Sequence, residues 1–190
     1  FTSAFYFICG HTDPHDADYR IEHPAIRSLM RKIHQRGHEI GLHPSYASYD
    51  KPHLISEQAG HLRQVCAKEG IKQRGWGGRM HYLRWQHPST LRALSDAGMI
   101  YDSSLGYADH AGFRCGTCFE YPSFDPVKQE SLPLRIRPLI AMETSIMSDS
   151  YMGLGTGSEA LNKFIALKSA CRAVGGTYTL LWHNSAITSK

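Results

Sequence analysis

No long apolar run occurs in this 190-residue sequence, so nothing in it reads as a membrane-spanning helix. Charge of one sign is not blocked together either. The 21 Lys and Arg against 17 Asp and Glu leave a formal net charge of +4, without the basic cluster that nucleic acid or an anionic membrane surface would call for. No nucleic-acid partner and no membrane segment is therefore expected. Two catalytic signatures are missing: the G-x-S-x-G elbow of a serine nucleophile and the H-E-x-x-H of zincins. Cysteine is sparse and odd in number, at five, which argues against a disulfide framework. Unpaired thiols lean towards a reducing, cytoplasmic setting. Cys115-Gly-Thr-Cys118 has no second pair to complete a zinc site, and ordinary loop thiols are the plainer reading of it than a redox pair. There is no initiator Met and no signal-peptide pattern. "FTSAFYFIC" enters a strand at once, and we expect the N-terminus to lie upstream.

What is present is a globular composition, 42% hydrophobic, of a length that suits one domain with a sizeable core. Histidine is abundant, at 12, and histidine is both the commonest metal ligand and an acid/base near neutrality. Strands are expected at residues 3–9, 38–43, 71–77, 99–102, 134–140 and 175–183. Helices are expected at 23–36, 54–69, 88–97 and 158–174. The first helix places Ile26, Leu29, Met30 and Ile33 on one face and ends at Gly37. The last has Ser158 as N-cap and Leu161, Phe164, Ile165 and Val174 inward. Between residues 102 and 134 lies a long loop of the kind that often carries function. Alternating strands and helices imply parallel β-α units. Polar residues follow the strand ends: His11 and Asp13, His43, Arg79 and His81, Asp102, and His183. In a (β/α) barrel such ends converge on one mouth, which favours a barrel over an open doubly wound sheet.

Four stretches carry candidate chemistry. "GLHPSY" ends a strand on His43, a metal ligand or a ring bonded to nearby backbone. "GGRMHYLRW" holds two glycines that allow a tight bend, then Arg79, able to grip a carboxylate with two prongs, and His81. Tyr82 and Trp85 there can flank a sugar ring or simply pack. "YDSSLGYADH" holds Asp102. "YTLLWHNS" sets His183 after an apolar strand, a general acid/base if a cleft partner exists and a solvent-facing ring otherwise.

The order "GHEIGLHPSY", "GGRMHYLRW", "AGMIYDSSLGYADHAGFRCGT", "LLWHNS" resembles the polysaccharide deacetylase superfamily, the NodB-homology domain of carbohydrate esterase family 4, in its bacterial branch. The resemblance covers nearly the whole chain. It implies a distorted (β/α)7 barrel, with the six strands read here completed by one upstream. It also implies a divalent metal, usually zinc, that activates water against an acetamide carbonyl. The partner would be an N-acetylated glycan or oligosaccharide. His43 matches the first ligand of the family's His-[Ser/Thr]-x-x-His motif, but Ala47 stands where the second histidine belongs. Arg79 matches the third motif, with His81 in place of its proline. Asp102 matches the first member of an aspartate pair whose second position is Leu105, and His183 matches the general acid. The family's first aspartate pair is expected upstream, leaving the 190 residues alone with little activity. The resemblance thus assigns catalysis to His183 and Arg79, metal binding to His43 with His81 as the substitute ligand, and substrate contacts to Tyr82, Asp102 and Trp182. The alternative is a carbohydrate-binding pseudoenzyme of the same fold that lost its metal at Ala47. Another metal hydrolase acting on non-sugar C–N bonds is the third possibility.

Overall fold

The computed structural model describes residues 2–187. The protein is a mixed α/β structure with a mostly parallel sheet, and it divides into two compact units. The first comprises residues 1–104 and 122–136, the second residues 105–121 and 137–190. The sequence reads as one domain because no linker composition marks any of the three crossings.

The first unit alternates β1 (Ala4–Ile8), α1 (Pro24–Gln35), β2 (Glu39–His43), α2 (Pro52–Lys68), β3 (Gly77–Gly78), α3 (Ser89–Asp96) and β4 (Tyr101–Asp102). It adds β5 (Tyr121–Asp125) and β6 (Glu130–Ile136), so its sheet runs β1-β2-β3-β4-β6-β5. The register pairs Ile8 with His43, Leu42 with Gly78, Gly78 with Asp102 and Asp102 with Ile136, all between parallel strands. The residues that follow these positions therefore leave the sheet along one carboxyl edge, where ligands of open parallel sheets bind. Met30 and Ile33 of α1, Ile55, Ala59, Leu62, Val65 and Cys66 of α2, and Leu91, Ala93 and Leu94 of α3 are buried with Ile40 and Leu42 of β2. Each residue of that size buried contributes roughly 1.5–3 kcal/mol relative to exposure. In α1 only Met30 and Ile33 are buried, while Leu29 stays exposed. Gly37 ends that helix at φ +75°, a left-handed conformation that a side chain would strain.

Several expectations are corrected. Residues 71–77 form no strand before Gly77. Gln73 takes the ladder's place: its Oε1 accepts from the Ile40 amide at 3.1 Å, and its Nε2 donates to the Ile40 carbonyl at 2.7 Å. Gly77 and Gly78 lie in a strand instead of a tight bend. Gly77 is required there because a Cβ would sit 1.9 Å from the Tyr101 ring. The stretch read as a long loop contains β5 and most of β6, whose prolines, Pro122 and Pro133, hide the strand pattern.

The second unit holds β7 (Ala141–Met142), α4 (Glu143–Met147), α5 (Ser158–Ala173) and β8 (Leu180–Leu181), with β7 and β8 forming a separate parallel pair. No closed ring of strands is formed among the described residues. The inward face expected for α5 is also wrong. Leu161, Ile165 and Val174 are exposed, and the buried positions are Ala160, Leu167 and Cys171, with Phe164 packed against the same cluster. Small Ala160 and Cys171 permit close packing along the stripe 160/164/167/171, and a reading weighted by side-chain size selects its neighbour. Gly157, not Ser158, is the N-cap. Among the described residues no helix is long and apolar enough to cross a membrane.

Candidate functional site

His43 is the last residue of β2, and His81 follows β3 by three residues. Their ring centroids lie 4.8 Å apart, with the planes at 58°. Each ring is fixed through Nδ1. That of His43 donates to the Arg79 carbonyl at 2.6 Å, and a carbonyl can only accept. That of His81 donates to Asp16 Oδ1 at 3.0 Å. In the neutral ring both histidines then carry the proton on Nδ1, which leaves Nε2 as the basic nitrogen.

Asp16 was not found from the sequence, where it is one of several acids in a polar loop. Its side chain is fully buried. Oδ2 accepts from the Thr12 amide at 2.8 Å, the Thr12 hydroxyl at 3.1 Å and the Asp13 amide at 3.1 Å. Oδ1 accepts from the Tyr46 amide at 2.7 Å as well as from His81. Burial raises its pKa, but the donors from Thr12, Tyr46 and His81 outweigh it and hold the carboxyl below its ordinary value.

The "YDSS" stretch braces the same loop from beneath. Arg79 is buried, its Nε donating to the Ser103 carbonyl and its Nη2 to the Ser103 hydroxyl, both at 2.9 Å. The guanidinium also lies 4.8 Å over the Tyr6 ring. The Met80 amide donates to Ser104 Oγ at 2.8 Å, and Ser104 Oγ donates to Asp102 Oδ1 at 2.5 Å. Asp102 has no exposed surface, so the substrate contact expected of it is corrected to a structural one. Burial pushes its carboxyl up to about 6, against the lowering pull of Ser104 and Arg79.

Aromatic groups flank the imidazole pair. Tyr82 is 62% exposed and takes a left-handed φ of 56°, a conformation that costs a non-glycine residue of order 1–3 kcal/mol. Its ring meets those of His81 and Tyr46 edge-on, at 4.8 Å and 5.3 Å. His15 stacks on Tyr46 at 4.6 Å, and the Arg84 guanidinium lies 4.0 Å over the Tyr46 ring. Trp85 instead stacks on His87, at 5.3 Å.

His183 and Trp182 belong to the second unit. His183 follows β8, is half exposed, and donates from Nδ1 to Glu143 Oε1 at 2.6 Å. Glu143 was also missed, although it is the one charge between Pro138 and Met147. It is buried, and its Oε2 has no hydrogen-bond partner among the described residues. Burial raises the Glu143 carboxyl, and the bonds from His183 and Thr144 outweigh it and lower it. Trp182 is exposed and lies 6.0 Å from the Phe164 ring. Of the C-x-x-C pair, Cys115 is half-buried and Cys118 buried, both as free thiols.

Among the described residues no group of three or more His, Cys, Asp or Glu is arranged around one point to hold a metal ion. The spacing of the imidazole pair can be compared with that of two ligands on one ion. Two nitrogens each ~2.0–2.1 Å from a shared tetrahedral ion bring their ring centroids to about 5 Å, against the 4.8 Å found. Hydrogen bonds behind metal-binding imidazoles fix tautomer and orientation in the same way.

No protein-family model matches the chain, and no curated protein matches it. A crystal structure of a protein from Mycobacterium smegmatis, provisionally named a polysaccharide deacetylase, matches with a TM-score of 0.57 at 22% identity, over 84% of this chain and 54% of that one. This likeness establishes a shared fold. A crystal structure of the allantoinase Puue matches with a TM-score of 0.44 at 18% identity, over 82% of this chain and 48% of that one, too loosely to argue from. The chain spans about half the length of either structure.

Proposed function

We propose that this chain carries the reactive region of a metal-dependent amide hydrolase that removes acetyl groups from an N-acetylated sugar, on a distorted (β/α)7 barrel. The observation that carries the reading is the His43–His81 pair, 4.8 Å between centroids and each ring anchored through Nδ1. The fold shared with a protein provisionally named a polysaccharide deacetylase supports it. His43 and His81 would hold the divalent cation, zinc being among those that imidazole donors suit, and it would supply Lewis-acid polarisation of the carbonyl and acidify a water. The base that takes the water's proton would belong to the aspartate pair expected upstream, and this chain's own groups supply the remaining roles. Arg79, held by Ser103, sets the carbonyl that anchors His43. Tyr82 offers an exposed face to the apolar side of a pyranose ring. His183, oriented by Glu143, is the general acid that the resemblance assigns.

The test is acetate release from N-acetylglucosamine oligomers, with zinc present, by a protein that also carries the aspartate pair the resemblance places upstream. Release that falls by ~10²–10⁴-fold in kcat for His183→Ala supports the reading, that being the usual worth of acid assistance. Tight oligomer binding with no acetate release contradicts it and favours the carbohydrate-binding alternative that Ala47 suggests.

A further inference from the structure

Asp16 collects five donors from three stretches of chain: Thr12 and Asp13 in its own loop, Tyr46 after β2, and His81 after β3. Four of the five come from the loop itself and from the Tyr46 amide. The fifth is the ring of His81, a side chain with two alternative tautomers, and its bond to the carboxylate decides between them. The carboxylate is acceptor-only and fully buried, so the nitrogen facing it must carry the proton. We propose that Asp16 is the positioning residue that fixes His81 as the Nδ1–H tautomer and turns its basic Nε2 towards the point shared with His43. The inference rests on the reading of His43 and His81 as the reactive pair, but its test does not depend on that reading.

Asp16→Asn separates the positioning role from a merely structural one. An asparagine has one acceptor oxygen and one NH₂ in place of two acceptors. The oxygen is better placed towards the Thr12 and Asp13 amides, which both point at Oδ2. The NH₂ then faces His81 Nδ1 and donates to it, while the bond that Oδ1 accepted from the Tyr46 amide is lost. His81 must answer by accepting at Nδ1 and moving its proton to Nε2. The substitution therefore inverts the tautomer, an effect that general loosening of the loop does not predict. Thr12→Val is the control. It removes one donor to the same carboxylate, and one bond to the Ala47 amide at 3.1 Å, with no change in what faces His81.

The measurement is the pair of ring ¹⁵N shifts of His81 in the chain without added metal, assigned by their loss in His81→Asn. The wild type and Thr12→Val are expected to show a protonated Nδ1 and an unprotonated Nε2, and Asp16→Asn the reverse. A wild-type His81 protonated at Nε2 would overturn the proposal, even if Asp16→Asn failed to fold. So would an Asp16→Asn spectrum unchanged from the wild type. Zinc titration of the same proteins reads the other claim independently. A wild type that takes up no zinc removes the metal reading and leaves the tautomer result standing. If zinc does bind, Asp16→Asn should weaken it by ~10–100-fold, the usual effect of losing the group behind a ligand.

Discussion

At the scale of single residues, the site is built of side chains that hold other side chains. Ser103 holds Arg79, Ser104 holds the Met80 amide, and Asp102 holds Ser104. Asp102 has a thermodynamic signature. Its folded pKa, about 6, lies above the ordinary 3.8, so the native state keeps a proton that the unfolded chain has already released. Its contribution is fully present below pH ~4 and is lost as pH rises through ~6, a loss on the order of 2–3 kcal/mol. Asp16 and Glu143 are shifted down, and their contributions fade in the opposite direction, as pH falls. Denaturant midpoints from pH 4 to 7 should therefore show Asp102→Asn gaining on the wild type as pH rises. Parallel curves would mean that Asp102 does not titrate as described. His43, Arg79 and His81 were legible in the sequence because short motifs end on them. Asp16 and Glu143 were not, because a buried carboxylate is recognised by the donors around it, and the ones that tie these two into the fold come from residues 30 or more positions away.

At the scale of elements, periodicity located the helices well and their buried faces less well. In α2, Leu62, Val65 and Cys66 share one helical stripe and are buried along it. In α5 the larger apolar residues face outward, because Ala160 and Cys171 allow a tighter approach than Leu161 and Ile165 would. Leu167→Ala should cost ~2–5 kcal/mol in chemical denaturation, while Leu161→Ala should stay within ~0.5 kcal/mol. Equal costs would return α5 to the face read from the sequence. The strand expected over residues 71–77 fails for a different reason, since a side chain substitutes for a strand. Gln73→Ala leaves the Ile40 amide and carbonyl without the amide group that pairs them. Leaving such groups unpaired costs ~1–3 kcal/mol, and amide exchange at Ile40 should accelerate accordingly. Unchanged protection there would show that the Gln73 bonds are dispensable.

At the scale of the molecule, alternation of strands and helices indicated parallel pairing, and the register bears that out from β1 to β6. A sequence pattern says which residues end strands but not whether the strands close, because closure depends on pairings between distant segments. The strands described here form a six-stranded sheet and a separate pair. The carboxyl edge of the larger sheet is enough to bring His43 and His81 together, since Leu42 and Gly78 are paired across it. The claim that these two imidazoles share one divalent cation is tested most directly by calorimetric zinc titration of the wild type, His43→Ala and His81→Ala. The account predicts one site in the wild type. Each substitution should weaken it by more than the ~10–100-fold that loss of a supporting group costs. A His81→Ala variant that kept wild-type zinc affinity would contradict it.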